Sequence, residues 1–271
     1  MKKLVLVLVM IFVVMVGRTQ SFEGVIHWSM KMDITDPKIK AQMEDAKKKA
    51  SDPANQAKMK ELQAKMDDPQ FKALMEQNPQ MKAQMEAALK MMQGGDMNAM
   101  MPSAIIVKMK GANTLTSIQG GIMDKTEVLH VADKDATYTI NHASKTYMVM
   151  KNNKEAEQNK SPKITKTSET QKILGYTCMK YIIEQTARDG KTVNTNYWAT
   201  NEIKDVDLKS LAKQQASQSQ SFIFSEVDGV PLKIEVMMPQ GNMTMQCTEF
   251  KKESVPASTF VLPGGYSETK I

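Results

Sequence analysis

The sequence predicts an α+β fold: a strongly curved antiparallel sheet or half barrel covered by a helical lid. Three observations point there. Strand-like alternation begins at residue 22 and resumes from Ser103 to the end, and a methionine-rich block of helix formers interrupts it over about 36–101. Long strands in meander order must also curl or close to bury one face. At 271 residues, 41% hydrophobic and 24% charged, the chain can bury a sizeable core, and its composition is not that of a disordered protein.

Met1 to Lys3 form a basic start, Leu4 to Val16 an apolar run, and Gly17 to Ser21 a short polar end with small residues at Thr19 and Ser21. This is the pattern of a removable export signal over 1–21, which leaves a single α+β domain over 22–271. The run is too short to span a bilayer unaided, so no transmembrane anchor is expected in the exported part. No cysteine follows the run to carry a lipid, and the expected location is the periplasm or the medium.

The first predicted strand, Phe22 to Met32, places Phe22, Gly24, Ile26, Trp28, Met30 and Met32 on one face. The insertion that follows is an internal repeat. Asp36-Pro37, Asp52-Pro53, Asp68-Pro69 and Asn78-Pro79 each supply a capping side chain and a proline for the first helical position. Five residues past each cap stands alanine (Ala41, Ala57, Ala73, Ala83), and seven past it methionine (Met43, Met59, Met75, Met85). With Ile39, Phe71, Met81, Leu89 and Met92, the spacings of three and four draw one helical stripe. Segments this short are marginal alone, so the stripe must pack on something. It is either ordinary core or an adaptable surface for apolar ligands, since the thioether side chain is flexible and polarizable. On the second reading Met43, Met59, Phe71, Met75, Met81, Met85 and Met92 form the ligand-binding lid, and Trp28 and Trp198 belong to the sheet beneath it.

From Ser103 onward, Ile105 to Lys110, Thr114 to Gln119 and Ile122 to Ala132 read as strands. A hairpin over Thr137 to Met150 turns near Asn141 to Lys145, and Lys151 to Lys163 reads as a polar loop. A second hairpin pairs Tyr176 to Glu184 with Thr192 to Thr200. Val206 to Ser217 reads as one helix. Phe222 to Glu226, Leu232 to Met238 and Met243 to Glu249 close the series, and Pro256 to Tyr266 is a final edge segment.

Four stretches carry a family resemblance: Phe22-Glu23-Gly24-Val25-Ile26, Lys172-Ile173-Leu174-Gly175-Tyr176-Thr177-Cys178, Tyr197-Trp198-Ala199-Thr200 and Asp228-Gly229-Val230-Pro231-Leu232-Lys233-Ile234-Glu235. Together and in this order they resemble the exported bacterial family catalogued as domain of unknown function 4412. Its members look like the periplasmic lipoprotein carriers, in which an open β-barrel and helices close an apolar cavity. The resemblance implies a binding protein for something apolar and brings no catalytic residues. This chain differs from the carriers in its long insertion after the first strand and in holding Arg188, its one arginine past the leader, in a predicted turn.

The chemistry of enzymes is thinly represented. His27, His130 and His142 lie far apart, and no Gly-x-Ser-x-Gly, phosphate loop or dinucleotide fingerprint occurs, so neither catalysis nor a cofactor is expected. The formal charge of +6 falls to +3 when Lys2, Lys3 and Arg18 leave with the signal, and one remaining arginine argues against a nucleic-acid partner. Cys178 and Cys247 allow one disulfide in an oxidising compartment, or two buried thiols. Methionines are also soft ligands for Cu(I), and Met91, Met92, Met97, Met100 and Met101 are the densest cluster. Three readings therefore stand. The first is an exported, non-enzymatic binder of a lipid, acyl chain or hydrophobic protein segment. The second is an interaction module with a filled core, and the third is methionine-based copper binding.

Overall fold

In a computed structural model of the chain, residues 21–72, 85, 89, 101–150, 162–186, 190, 192–206, 208 and 226–269 are described. Their strands are β1 (Glu23–Ile34), β2 (Ala104–Lys110), β3 (Asn113–Gln119), β4 (Thr126–Val131), β5 (Ala136–Asn141), β6 (Thr146–Met150), β7 (Lys163–Ile173), β8 (Tyr176–Thr186), β9 (Thr192–Thr200), β10 (Val230–Met238), β11 (Gly241–Lys252) and β12 (Ser267–Glu268). All twelve belong to one sheet, ordered β12-β6-β5-β4-β3-β2-β1-β11-β10-β9-β8-β7. Only β12 and β6 run parallel. The edges β12 and β7 do not pair with each other, so the sheet stays open.

The curvature is legible in two cysteines. Cys178 on β8 and Cys247 on β11 are separated by β9 and β10, which in a flat sheet means about 14 Å at roughly 4.8 Å per strand. Yet both belong to one buried cluster, and the charge of the first would raise the pKa of the second. The sheet therefore bends toward the face they share. Burial pushes their thiols up to about 11 and about 12, and both are free. The disulfide allowed by the sequence is not formed here, and the alternative it left open, two buried thiols, is what the structure shows.

β1 is the spine of the fold, paired with β2 on one side and β11 on the other. Its alternation sets the buried face: Ile26 opposes Val107 and Phe250, and Trp28 opposes Ile105 and Cys247. Phe22, Met109, Leu232 and Cys178 are at most 1% exposed in this core, and the Phe22 ring sits 4.7 Å from that of Phe250. The stretches quoted for the family resemblance build this region. Glu23 accepts from Lys110 Nζ (2.9 Å) and the Val255 amide (2.7 Å). Gly24 lies where a Cβ would stand 2.1 Å from the Lys251 carbonyl oxygen. Leu174 and Gly175, both with positive φ, make the two-residue turn between β7 and β8. Gly229, at φ 106°, lets β10 start against the Thr200 carbonyl, where a Cβ would come within 2.3 Å. On the opposite face of β3 to β5, Leu115, Leu129 and Ile140 are covered by Val255, Phe260 and Tyr266 of the C-terminal segment.

Helices α1 (Pro37–Ser51) and α2 (Pro53–Asp67) follow β1. The Asp36 and Asp52 side chains accept from backbone amides of the first turns, and Asp68 caps a further turn through Gln70 and Phe71. Neither helix buries a residue, so these two do not form the expected lid over the sheet. The physical reason is the thinness of the stripe: lysine, glutamate and glutamine fill the rest of each helix and leave it polar nearly all round.

Three further differences from the sequence reading have local causes. β7 was not predicted because its residues are polar and mostly exposed, as suits an edge strand guarded by lysines. The strand expected from Ile122 starts instead at Thr126, since positive φ at Gly120, Gly121 and Lys125 turns the chain first. The final edge strand is Ser267–Glu268 and not the expected Pro256 to Tyr266, where a 3-10 turn over Ala257–Phe260 takes up the start of the segment. Residues 1–20 of the leader expected over 1–21, residues 151–161 of the loop expected over 151–163, most of the helix expected from Val206 and all but Glu226 of the strand expected from Phe222 fall outside the described residues.

Candidate functional site

The candidate site arises where β1 outruns β2. The β1–β2 ladder ends at the pair Ser29 and Ala104, while β1 continues to Ile34 against β11 alone. Residues 101–103 run beside the unpaired edge, fastened by the Met30 amide donating to the Ser103 carbonyl (2.8 Å) and the Ser103 amide to that of Gln119 (2.9 Å). Proline at 102 cannot donate to a ladder, which suits a segment that leaves the sheet. Between this segment and the strands lies a cleft of about 260 Å³ lined by Met30, Met32, Met101 and Met243, with Lys31, Pro102 and Ser103 completing the wall.

Four of the seven lining residues are thioethers, and strand register brings three of them together. Met30 and Met32 are two apart on β1 and so share a face. Met243 stands directly opposite Met32, and Met245 opposite Met30. Met32 is 8% exposed, and Met30, Met101 and Met243 are half-buried. The chain leaves the sheet at this place: after Ile34 the amides of Thr35 and Asp36 donate to the Gln240 carbonyl, and Asp36 then caps α1. Gly241, beside Gln240, fits because a Cβ there would come 2.2 Å from the Asp33 carbonyl. The site is thus an apolar wall of soft sulfur; Lys31 borders it between Met30 and Met32, but its strand position alternates to the other, exposed face.

Of the residues singled out from sequence, only Met101 lines this cleft. Met43, Met59 and Phe71 are half-buried, and Met85 is helical and half-buried four residues before buried Leu89. Met75, Met81, Met91, Met92, Met97 and Met100 lie outside the described residues. Trp28 packs against the main core beside β2. Trp198 is 9% exposed, donates to Glu235 Oε2 (3.2 Å) and has the Lys180 and Lys233 ammoniums 5.6 and 5.9 Å from its ring centroid. It is a packed, cation-flanked ring and no part of the cleft. Burial would raise the pKa of Glu235, but hydrogen bonds from Lys233, Trp198 and Asn196 outweigh it and hold the carboxyl below its ordinary value. Sequence reasoning missed Met30, Met32 and Met243 as a site, although two Met-x-Met pairs on strands were the available signal.

The comparisons with known proteins add a family. The sequence pattern described as Domain of unknown function (DUF4412) matches residues 104–266, which is 163 of the 271 residues. The chain belongs to this family. The DUF4412 region takes in β2 to β11 and the C-terminal cover, while β1, α1 and α2 precede it. Met101 of the cleft also precedes it, and Met243 lies within it. No curated protein matches the sequence. Among solved structures, similarity is found to PNGF-II, at 17% identity and a TM-score of 0.38, over 61% of this chain and 28% of that one. Similarity is also found to LprF from Mycobacterium bovis, at 9% identity and a TM-score of 0.31, over 92% of this chain and 91% of that one. This DUF4412 chain thus spans little more than a quarter of the length of PNGF-II. Among the described residues no helix is long and apolar enough to cross a membrane.

Proposed function

We propose that this protein is an exported, non-enzymatic binder of an apolar ligand such as a lipid, an acyl chain or a hydrophobic protein segment, held at the methionine cleft at the end of β1. The observation that carries this reading is the cleft itself, a concave site walled largely by thioethers at the root of the helical segment. The bent face of the sheet is filled, with Phe22, Met109 and Leu232 essentially inaccessible, so the ligand belongs at the end of the sheet and not inside the bend. At about 260 Å³ the cleft is near the small end of ligand pockets and takes part of a molecule, such as the end of a chain or one large side chain. The mechanism is reversible burial: about 2.5 kcal/mol for every ~100 Å² of apolar area removed from water.

The test is displacement of a fluorescent long-chain fatty acid from the purified chain. Met32→Glu combined with Met243→Glu removes uptake in this reading, while Met237→Glu, at an exposed position on the neighbouring strand, leaves it intact. Equal uptake by all three proteins contradicts the cleft as the site. A second reading, an interaction module without a small ligand, is favoured by the same filled bend, and it predicts no uptake by the unmodified chain.

A further inference from the structure

The four thioethers of the cleft are soft donors as well as apolar surface. From their convergence we infer that Met30, Met32, Met101 and Met243 form a binding site for a soft monovalent cation, Cu(I). Three of the four are fixed by the sheet: Met32 and Met243 are direct cross-strand partners, whose Cβ atoms stand roughly 5 Å apart, and Met30 follows on the same face. The fourth comes from the segment whose Ser103 carbonyl accepts from the Met30 amide, which holds Met101 at the same cleft. Neutral sulfur ligands without a hard donor select Cu(I) over Zn²⁺, Mg²⁺ or Ca²⁺, which require imidazole, thiolate or oxygen. Among the described residues no group of three or more histidine, cysteine, aspartate or glutamate side chains could hold a metal, so a hard or borderline ion has no comparable place there. This inference does not rest on the apolar-ligand reading, because replacing methionine by leucine separates the two. Leucine keeps the cleft apolar and of similar volume but removes the sulfur.

The experiment is an anaerobic titration of the full chain with Cu(I) against a chromogenic Cu(I) chelator, with the four-fold variant Met30→Leu, Met32→Leu, Met101→Leu, Met243→Leu in parallel. The unmodified chain should withdraw one equivalent of Cu(I) from the chelator. The variant should bind at least tenfold more weakly while keeping its far-ultraviolet circular dichroism. In case the variant fails to fold, the unmodified chain with ¹³C-methyl methionine is titrated with Ag(I), and the methyl signals of these four residues should shift together at one equivalent. Unchanged Cu(I) retention by a folded variant, no retention by the unmodified chain, or Ag(I) shifts confined to other methionines each overturns the site.

Discussion

Gly24→Ala tests how tightly β1 is clamped. A Cβ at this position would stand 2.1 Å from the Lys251 carbonyl oxygen and 2.8 Å from the Phe22 ring. The ring has little freedom to yield, since Phe22 is 1% exposed and packs on Phe250. Nor can the strand move aside freely, because Gly24 is paired with Lys252 on β11 and with Met109 on β2. Relief therefore requires parting β1 from β11 by more than an ångström. Overpacking of this kind costs about 1–3 kcal/mol, and one or two weakened backbone hydrogen bonds add about 1 kcal/mol each, for roughly 3 kcal/mol in total. For a chain of this size that corresponds to a fall in Tm of about 6–12 °C. Urea and thermal unfolding followed by tryptophan fluorescence supply the measurement, with Gly264→Ala as the control. Nothing lies within 4 Å of a Cβ at Gly264, so the control should stay within about 0.5 kcal/mol of the parent. A Gly24→Ala protein as stable as the control would refute the close β1–β11 approach, and with it the account of why Phe22-Glu23-Gly24 opens the fold.

Other consequences are equally open to measurement. Leu174 adopts φ 51° in the turn before Gly175 and is 44% exposed, so Leu174→Asn, which creates the favoured Asn-Gly turn, should raise stability by about 0.5–1 kcal/mol; a lower urea midpoint would show that the leucine side chain matters more than the turn. Burial pushes Cys178 up to about 11, Cys247 up to about 12 and the Tyr197 phenol up to about 12, from 9.0, 9.0 and 10.0. The folded state thus favours the protonated forms, and the stability they contribute is complete below about pH 9 and is lost as pH rises toward 12. Urea midpoints measured across that window should fall, and the fall should flatten in a Cys178→Ala, Cys247→Ala double variant; an equal slope in both proteins would remove the thiols from the explanation. At pH 7 a thiol-reactive dye should label neither cysteine in native protein and both in urea, because only the exposed thiolate reacts. Fast labelling before unfolding would contradict the burial of the pair.

Much of the sheet could be read from the sequence, and the reasons are local. The alternation of Ile26, Trp28, Met30 and Met32 fixes the buried face of β1, and the turns near Asn141 to Lys145 and at Pro239-Gln240 lie where glycine, proline and asparagine place them. β7 escaped because an exposed edge strand has no apolar alternation to detect. The site was less legible. Met30, Met32 and Met243 each read as ordinary strand residues, and the cleft appears only when β1 is seen to extend past β2 beside Met101. That difference in strand length is a property of tertiary pairing, and no single segment encodes it. The helical stripe illustrates the opposite error, since capping and periodicity correctly place α1 and α2 as helices but say nothing about what they rest on.

The central claim, that the cleft holds an apolar ligand, is tested most directly by native mass spectrometry of the chain purified from an exporting bacterium without detergent. The native mass is compared with the denatured mass. The native mass should include a bound apolar molecule that disappears on denaturation and is absent from the Met32→Glu, Met243→Glu protein. A bare polypeptide that also fails to take up added fatty acid would contradict it.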